Sequence, residues 1–132
     1  MYAKALWTDY WRGTACDGDQ IAHPSVEDIE VAITRLDGKY RTIVTIKGDE
    51  DAHLAVGGGA SGQYVVYATF DNKRFSTLMS AEPSDSQTLL LVGGQQGDYP
   101  RNIVVDLPLA LAAANAFAET GQIDPGLRWR NW

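Results

Sequence analysis

Polar and apolar positions keep a regular period over most of the chain, and the period switches between that of a strand and that of a helix. Residues 3–11 alternate, with Ala3, Ala5, Trp7 and Asp9 on one side and Lys4, Leu6, Thr8 and Tyr10 on the other, which predicts a strand. Residues 12–24 contain Gly13, Asp17-Gly18-Asp19 and Pro24 and read as a loop. Val26, Ile29, Ile33 and Leu36 then recur at helical spacing. Ser25 stands ahead of them as an N-cap, Glu27 and Asp28 occupy the first turn, and Gly38 marks the end. Strand patterns follow over residues 42–47, 52–56, 64–70, 74–79 and 88–92, and residues 102–105 bring the chain back. Residues 82–86 read as a loop around Pro83. A second helix is expected behind Asp106, with Pro108 in its first turn, an alanine-rich body and Gly121 to stop it. Residues 127–132 form a last short strand, with Trp129 on the core side and Trp132 a partly exposed terminal residue. A run of strands with few helices predicts an α+β fold: a mainly antiparallel β-sheet of about six to eight strands with two α-helices packed on it.

Two glycine clusters interrupt the strands. Gly57-Gly58-Gly59-Ala60-Ser61-Gly62 fits the dinucleotide fingerprint G-x-G-x-x-G, which requires a helix to leave the glycines and hold the pyrophosphate. The exit is Gln63-Tyr64-Val65-Val66-Tyr67, a strand sequence, so these glycines turn a hairpin and no cofactor is expected. Gly93-Gly94-Gln95-Gln96-Gly97 repeats the pattern. Its neighbours Asp98, Tyr99 and Arg101 give that second turn the mixture of polar tips and an aromatic found at interfaces.

Composition narrows the function. The 132 residues make one domain by the usual size relation, with 45% hydrophobic and 21% charged residues. The formal net charge of −6 leaves no electrostatic footprint for nucleic acid and favours neutral or basic partners. No stretch is long and apolar enough to span a membrane, no leader pattern opens the chain, and one cysteine suits a reducing compartment; a cytoplasmic location is expected.

Candidate chemistry is sparse. Cys16 and His23 share the loop but lack any signature of a nucleophile and its base, and read as an incidental thiol and a solvated histidine. His53 beside Gly48-Asp49-Glu50-Asp51 lacks the ligand spacing of a zinc or calcium site, so the acids read as a solvated turn. No metal site and no catalytic residues are expected. The alternative is a small-ligand-binding domain or enzyme with a pocket between sheet and helices, lined by Trp7, Trp11, Tyr64 and Tyr67.

With these elements laid out, the chain resembles the Imm1 family of bacterial immunity proteins. The resemblance rests on Pro24-Ser25-x-Glu27-Asp28, Leu36-Asp37-Gly38, Leu54-Ala55-Val56-Gly57-Gly58-Gly59 with Tyr64, and Val92-Gly93-Gly94-Gln95 before Tyr99-Pro100. It is strongest over residues 113–129, where the alanine-rich helix carries Phe117 and Gly121 and leads to Pro125 and Trp129. The resemblance implies a single immunity-protein-like domain over residues 1–132, acting as a cytosolic antitoxin encoded beside its toxin. Such a protein binds and blocks the secreted toxin domain, and family partners include deaminase and nuclease domains. The partner surface is then expected at Asp49, Glu50 and Asp51 and at Asp98 and Tyr99, in a monomer or weak homodimer.

Overall fold

The computed structural model describes residues 1–81 and 85–132. Residues 82–84 of the loop expected around Pro83 lie outside the described residues. Seven strands form one antiparallel sheet. In chain order they are β1 (Ala5–Thr8), β4 (Asp19–Ala22), β5 (Ile43–Lys47), β6 (His53–Gly58), β7 (Tyr64–Thr69), β8 (Phe75–Leu78) and β11 (Trp129–Asn131). Their order across the sheet is β11-β8-β7-β6-β5-β1-β4. Two small hairpins stand apart: β2 (Trp11–Arg12) with β3 (Ala15–Cys16), and β9 (Gln87–Val92) with β10 (Gln95–Pro100). The helices are α1 (Val26–Thr34) and α2 (Leu107–Thr120). The fold is therefore α+β and mainly sheet, as the alternation of the sequence implies.

Register decides which residues meet. Leu6, Ile46, Leu54 and Ala68 pair across the strands in one row, and Val44, Val56 and Val66 in the next. Paired residues share a face, and this face packs on the helices with Ile29, Ile33, Ala113, Ala114 and Phe117. The buried face of α2 is alanine at Ala110, Ala113, Ala114 and Ala118, so the helix lies close to the sheet and Phe117 alone supplies bulk. The other face carries Trp7, Thr45, Ala55, Tyr67, Thr77 and Arg130 in one row. Ala5, Lys47, His53, Thr69 and Phe75 form the row beside it.

The helix signals hold at both N-termini. Ser25 accepts from the Asp28 N–H at 3.0 Å while the Asp28 carboxylate accepts from the Ser25 N–H at 2.9 Å, a complete capping box. Asp106 caps α2, and Gly121 closes it at φ 75°. Ser25→Ala should lower stability by about 1 kcal/mol, read as a shift of the urea midpoint with an unchanged slope. The C-terminus of α1 falls short of expectation. The helix stops at Thr34 because the Asp37 carboxylate takes the N–H groups of Lys39, Tyr40 and Arg41 and builds a turn instead.

Three further differences follow from tertiary pairing. Strand β1 is shorter than residues 3–11, since Asp9 turns inward and its neighbours leave the sheet. The expected loop over residues 12–24 contains the β2–β3 hairpin and the edge strand β4, whose polar sequence is tolerated because only one side is paired. Residues 102–105 hold no strand: a single 3₁₀ turn at Arg101–Ile103 precedes one bridge from Val105 to Tyr64.

Hairpin β9–β10 lies across one end of the face opposite the helices. Val92 sits on Gly57, where an added Cβ would run into the valine side chain, and Leu90 is buried beside Gly58. At the tip, the Gly94 N–H donates to Thr42 Oγ1 at 2.9 Å. Gly57 is thus required for contact, whereas Gly59 serves the turn itself, at φ 107° with the Leu36 carbonyl where its side chain would be.

Candidate functional site

The hairpin covers one end of the outer sheet face and leaves the rest open. On the open part, Tyr67 forms the centre of an aromatic series. Its ring meets His53 edge-on at 5.6 Å and Phe75 at 5.7 Å. His53 is held by the Asp51 carbonyl at 2.9 Å from Nδ1 and by the Tyr67 hydroxyl at 3.3 Å from Nε2. Burial pushes the Tyr67 hydroxyl above the ordinary tyrosine value, so it stays a neutral hydrogen-bonding group. Towards the β11 edge, Trp132 donates from Nε1 to Thr77 Oγ1 at 2.7 Å, and Arg130 stacks over the Trp132 ring at 4.4 Å. Towards the other edge, the Gly18 backbone lies on the Trp7 indole. Trp, Tyr and Arg on a partly desolvated face are the composition of a protein-binding hot spot.

The acidic turn borders this face. Asp49, Glu50 and Asp51 connect β5 to β6 and are all exposed. With Thr45, Lys47, His53 and Asn72, Glu50 and Asp51 line an open concavity of about 330 Å³. Asp49 pairs with Lys4 at 2.5 Å; that hydrogen bond, with the charge attraction, holds the ammonium above the usual lysine value. Glu50 and Asp51 have no ion-pair partner among the described residues, so their charge faces solvent.

Asp98 and Tyr99 lie elsewhere. Both are on β10, whose hairpin crosses the sheet at the Ile43 and Gly57 end, while the acidic turn leaves the Lys47 and His53 end. The five-residue strand Ile43–Lys47 runs between those ends, about 13 Å at the usual rise per residue. The two also point apart. Tyr99 pairs with Thr88 and shares the sheet-facing side of the hairpin with Leu90, half-buried, and burial raises its hydroxyl above the usual tyrosine value. Asp98 pairs with Leu89 on the outward side, where Leu89 is 58% exposed. The five residues singled out in the sequence therefore do not form one patch: the acidic turn is at one end of the sheet and the hairpin pair at the other, with Asp98 and Tyr99 on opposite sides of the hairpin.

Phe75, Thr77 and Arg130 carry no sign of a site role in the sequence, and Tyr67 stands there only as a lining residue of the alternative pocket. Their alternation marks them as one face of each strand, but only the pairing of β7, β8 and β11 brings them together. The aromatic pocket expected between sheet and helices does not form. Tyr64 is in the helix-side core, Trp7 and Tyr67 are on the opposite face, and Trp11 is at the hairpin tip. A groove between sheet and helix does exist, at the α1–β4 edge, with other residues. Cys16 lies in the β2–β3 hairpin and His23 between β4 and α1, both exposed. Among the described residues no cluster of His, Cys, Asp and Glu is arranged to hold a metal, and no helix is long and apolar enough to cross a membrane.

Against known families, the model described as Immunity protein Imm1 matches residues 17–131 of the 132. The matched stretch begins after β1 and the first strand pair, so it takes in β4, both helices, the glycine turns and the acidic turn. No curated protein matches the chain.

Proposed function

The chain belongs to the Imm1 immunity protein family, and on that footing we propose that it neutralises a secreted toxin domain by covering the toxin's active site. The observation that carries this reading is the acidic turn, with Glu50 and Asp51 free of ion pairs among the described residues, beside an aromatic sheet face. The aromatics supply buried contact area, and Asp49, Glu50 and Asp51 supply the charge that steers a basic partner. A nucleic-acid deaminase or nuclease fits best, since its cleft is built for phosphate and an acidic turn imitates that charge. The protein works by occlusion and needs no turnover of its own. The residues 1–132 act as one unit, in the cytoplasm, as a monomer or weak homodimer.

The test is co-purification with the C-terminal domain of the protein encoded immediately upstream, together with growth rescue when that domain is expressed. A tight complex with rescue supports the reading, and a toxic domain that forms no complex overturns it. Within such a complex, Asp98 and Tyr99 belong to a second contact on the hairpin. Tyr99→Ala should weaken binding by more than about tenfold, the effect of losing an aromatic hot spot. The free protein should melt within a few degrees of the parent; a large fall in Tm with unchanged affinity would assign the ring to hairpin packing.

A further inference from the structure

Strand β4 is an edge of the seven-stranded sheet, and no strand among the described residues pairs with its outer side. All four of its residues are exposed. Helix α1 runs alongside, and between helix and strand lies a groove of about 200 Å³. Leu6 and Ala32 contribute to its lining, and Ile21 from the strand and Val31 from the helix stand 43% and 48% exposed.

The charges along the groove are ordered. Glu27, Val31 and Arg35 are spaced by four residues on one helix face, so an acid, an apolar group and a base follow one another down its length. Asp28 adds to the acidic end, and Arg41 joins Arg35 at the other, opposed there by Asp19. Glu27 and Arg35 make no ion pair among the described residues. Four helical residues advance about 6 Å and two strand residues about 6.7 Å. A strand laid in the groove therefore keeps step with the helix, each second side chain meeting the next group.

The geometry points to a binding site for an extended segment of a partner protein, added antiparallel to β4, with a basic, an apolar and an acidic side chain at alternate positions. Because β4 runs from the basic end to the acidic end, an antiparallel segment reads base first and acid last. Backbone bonds to the open edge supply affinity, and the groove reads the alternate side chains. A second copy of this chain does not fit. Antiparallel pairing of two β4 strands with both helix layers on one side sets Ile21 opposite Ile21 and Asp19 opposite His23, at the acidic end of the other copy's groove with Glu27 and Asp28, where like charges repel. This site lies on the helix side of the sheet, away from the acidic turn, and does not depend on the toxin assignment.

The test uses two blocked peptides, acetyl-Lys-Thr-Ile-Thr-Glu-amide and acetyl-Glu-Thr-Ile-Thr-Lys-amide, titrated to millimolar concentration while amide shifts are followed. The first should perturb the amides of β4 and α1 and bind at least about tenfold more tightly than the second, the effect of setting like charges together at both ends. The double substitution Glu27→Lys with Arg35→Glu should invert that preference. Both positions are exposed, so the fold is not at risk. Val31→Lys, at a third exposed position, should abolish binding of either peptide. Shifts absent from β4, equal affinity for both peptides, or an unchanged preference in the double variant would each overturn the assignment.

Discussion

Replacing Asp9 by alanine should destabilise the protein by about 4 kcal/mol, because it leaves several buried donors without an acceptor. Asp9 is wholly buried, and its two oxygens are fully used. Oδ1 accepts the N–H groups of Thr42 and Ile43 at 2.7 and 2.9 Å. Oδ2 accepts the Trp11 Nε1–H at 2.6 Å and the hydroxyl of Thr42. That hydroxyl oxygen in turn accepts the Gly94 N–H, so one carboxylate fixes the end of β1, the start of β5 and the tip of the β9–β10 hairpin. The Tm should fall on the order of 12 °C. Asp9→Asn keeps the shape but presents an amide NH₂ to two of the four donors, and should fall between alanine and the parent. Thr42→Val keeps the volume but removes both the hydroxyl's bond to Asp9 Oδ2 and its acceptance of the Gly94 N–H; since Asp9 keeps its other three donors, it should raise exchange of the Gly94 amide and lower Tm less than Asp9→Ala. A Tm for Asp9→Ala within about 2 °C of the parent would mean that water replaces the carboxylate.

Little of that network was legible in the chain. Asp9 appears in the sequence as one more position in an alternating strand, and its partners Thr42 and Ile43 are 33 and 34 residues away. The helix N-termini were legible because Ser25 and Asp106 act through residues three places ahead, a distance the sequence displays directly. The same locality explains the triple-glycine turn and the stop at Gly121. Strand β4 was missed because an edge strand is held by backbone bonds to β1, and Asp19-Gln20-Ile21-Ala22 shows neither strict alternation nor a β-branched run. The candidate site divides in the same way. The acidic turn is contiguous and was visible, whereas the aromatic face needs β7, β8 and β11 to pair in one register, which no local spacing announces. The hairpin's inward and outward sides depend on Gly57 admitting Val92, so nothing in Asp98-Tyr99 itself shows that the two point apart.

Lysine at positions 49, 50 and 51 should weaken the toxin complex by about a hundredfold at low salt, chiefly through slower association. Each exchange changes the charge by two units, which takes the formal value from −6 to zero and reverses its sign locally. The three residues are exposed and on a turn, and Glu50 already holds a positive φ of 52° with an unbranched side chain. The exchange breaks the Lys4–Asp49 ion pair, which is open to solvent on both sides, so the free variant should melt close to the parent. Steering by exposed charge is screened over about 10 Å at 0.1 M salt. The parent's association rate should therefore fall steeply as salt rises, and the variant's should stay flat or rise, so that the two approach one another. Dissociation rates should differ much less, because the aromatic contacts around Tyr67 are untouched. The complementary variant Tyr67→Ala should show the opposite split, with near-parental association and faster dissociation. Equal association rates for the parent and the lysine variant at every salt concentration would remove the acidic turn from the interface and leave the hairpin or the sheet face to carry it.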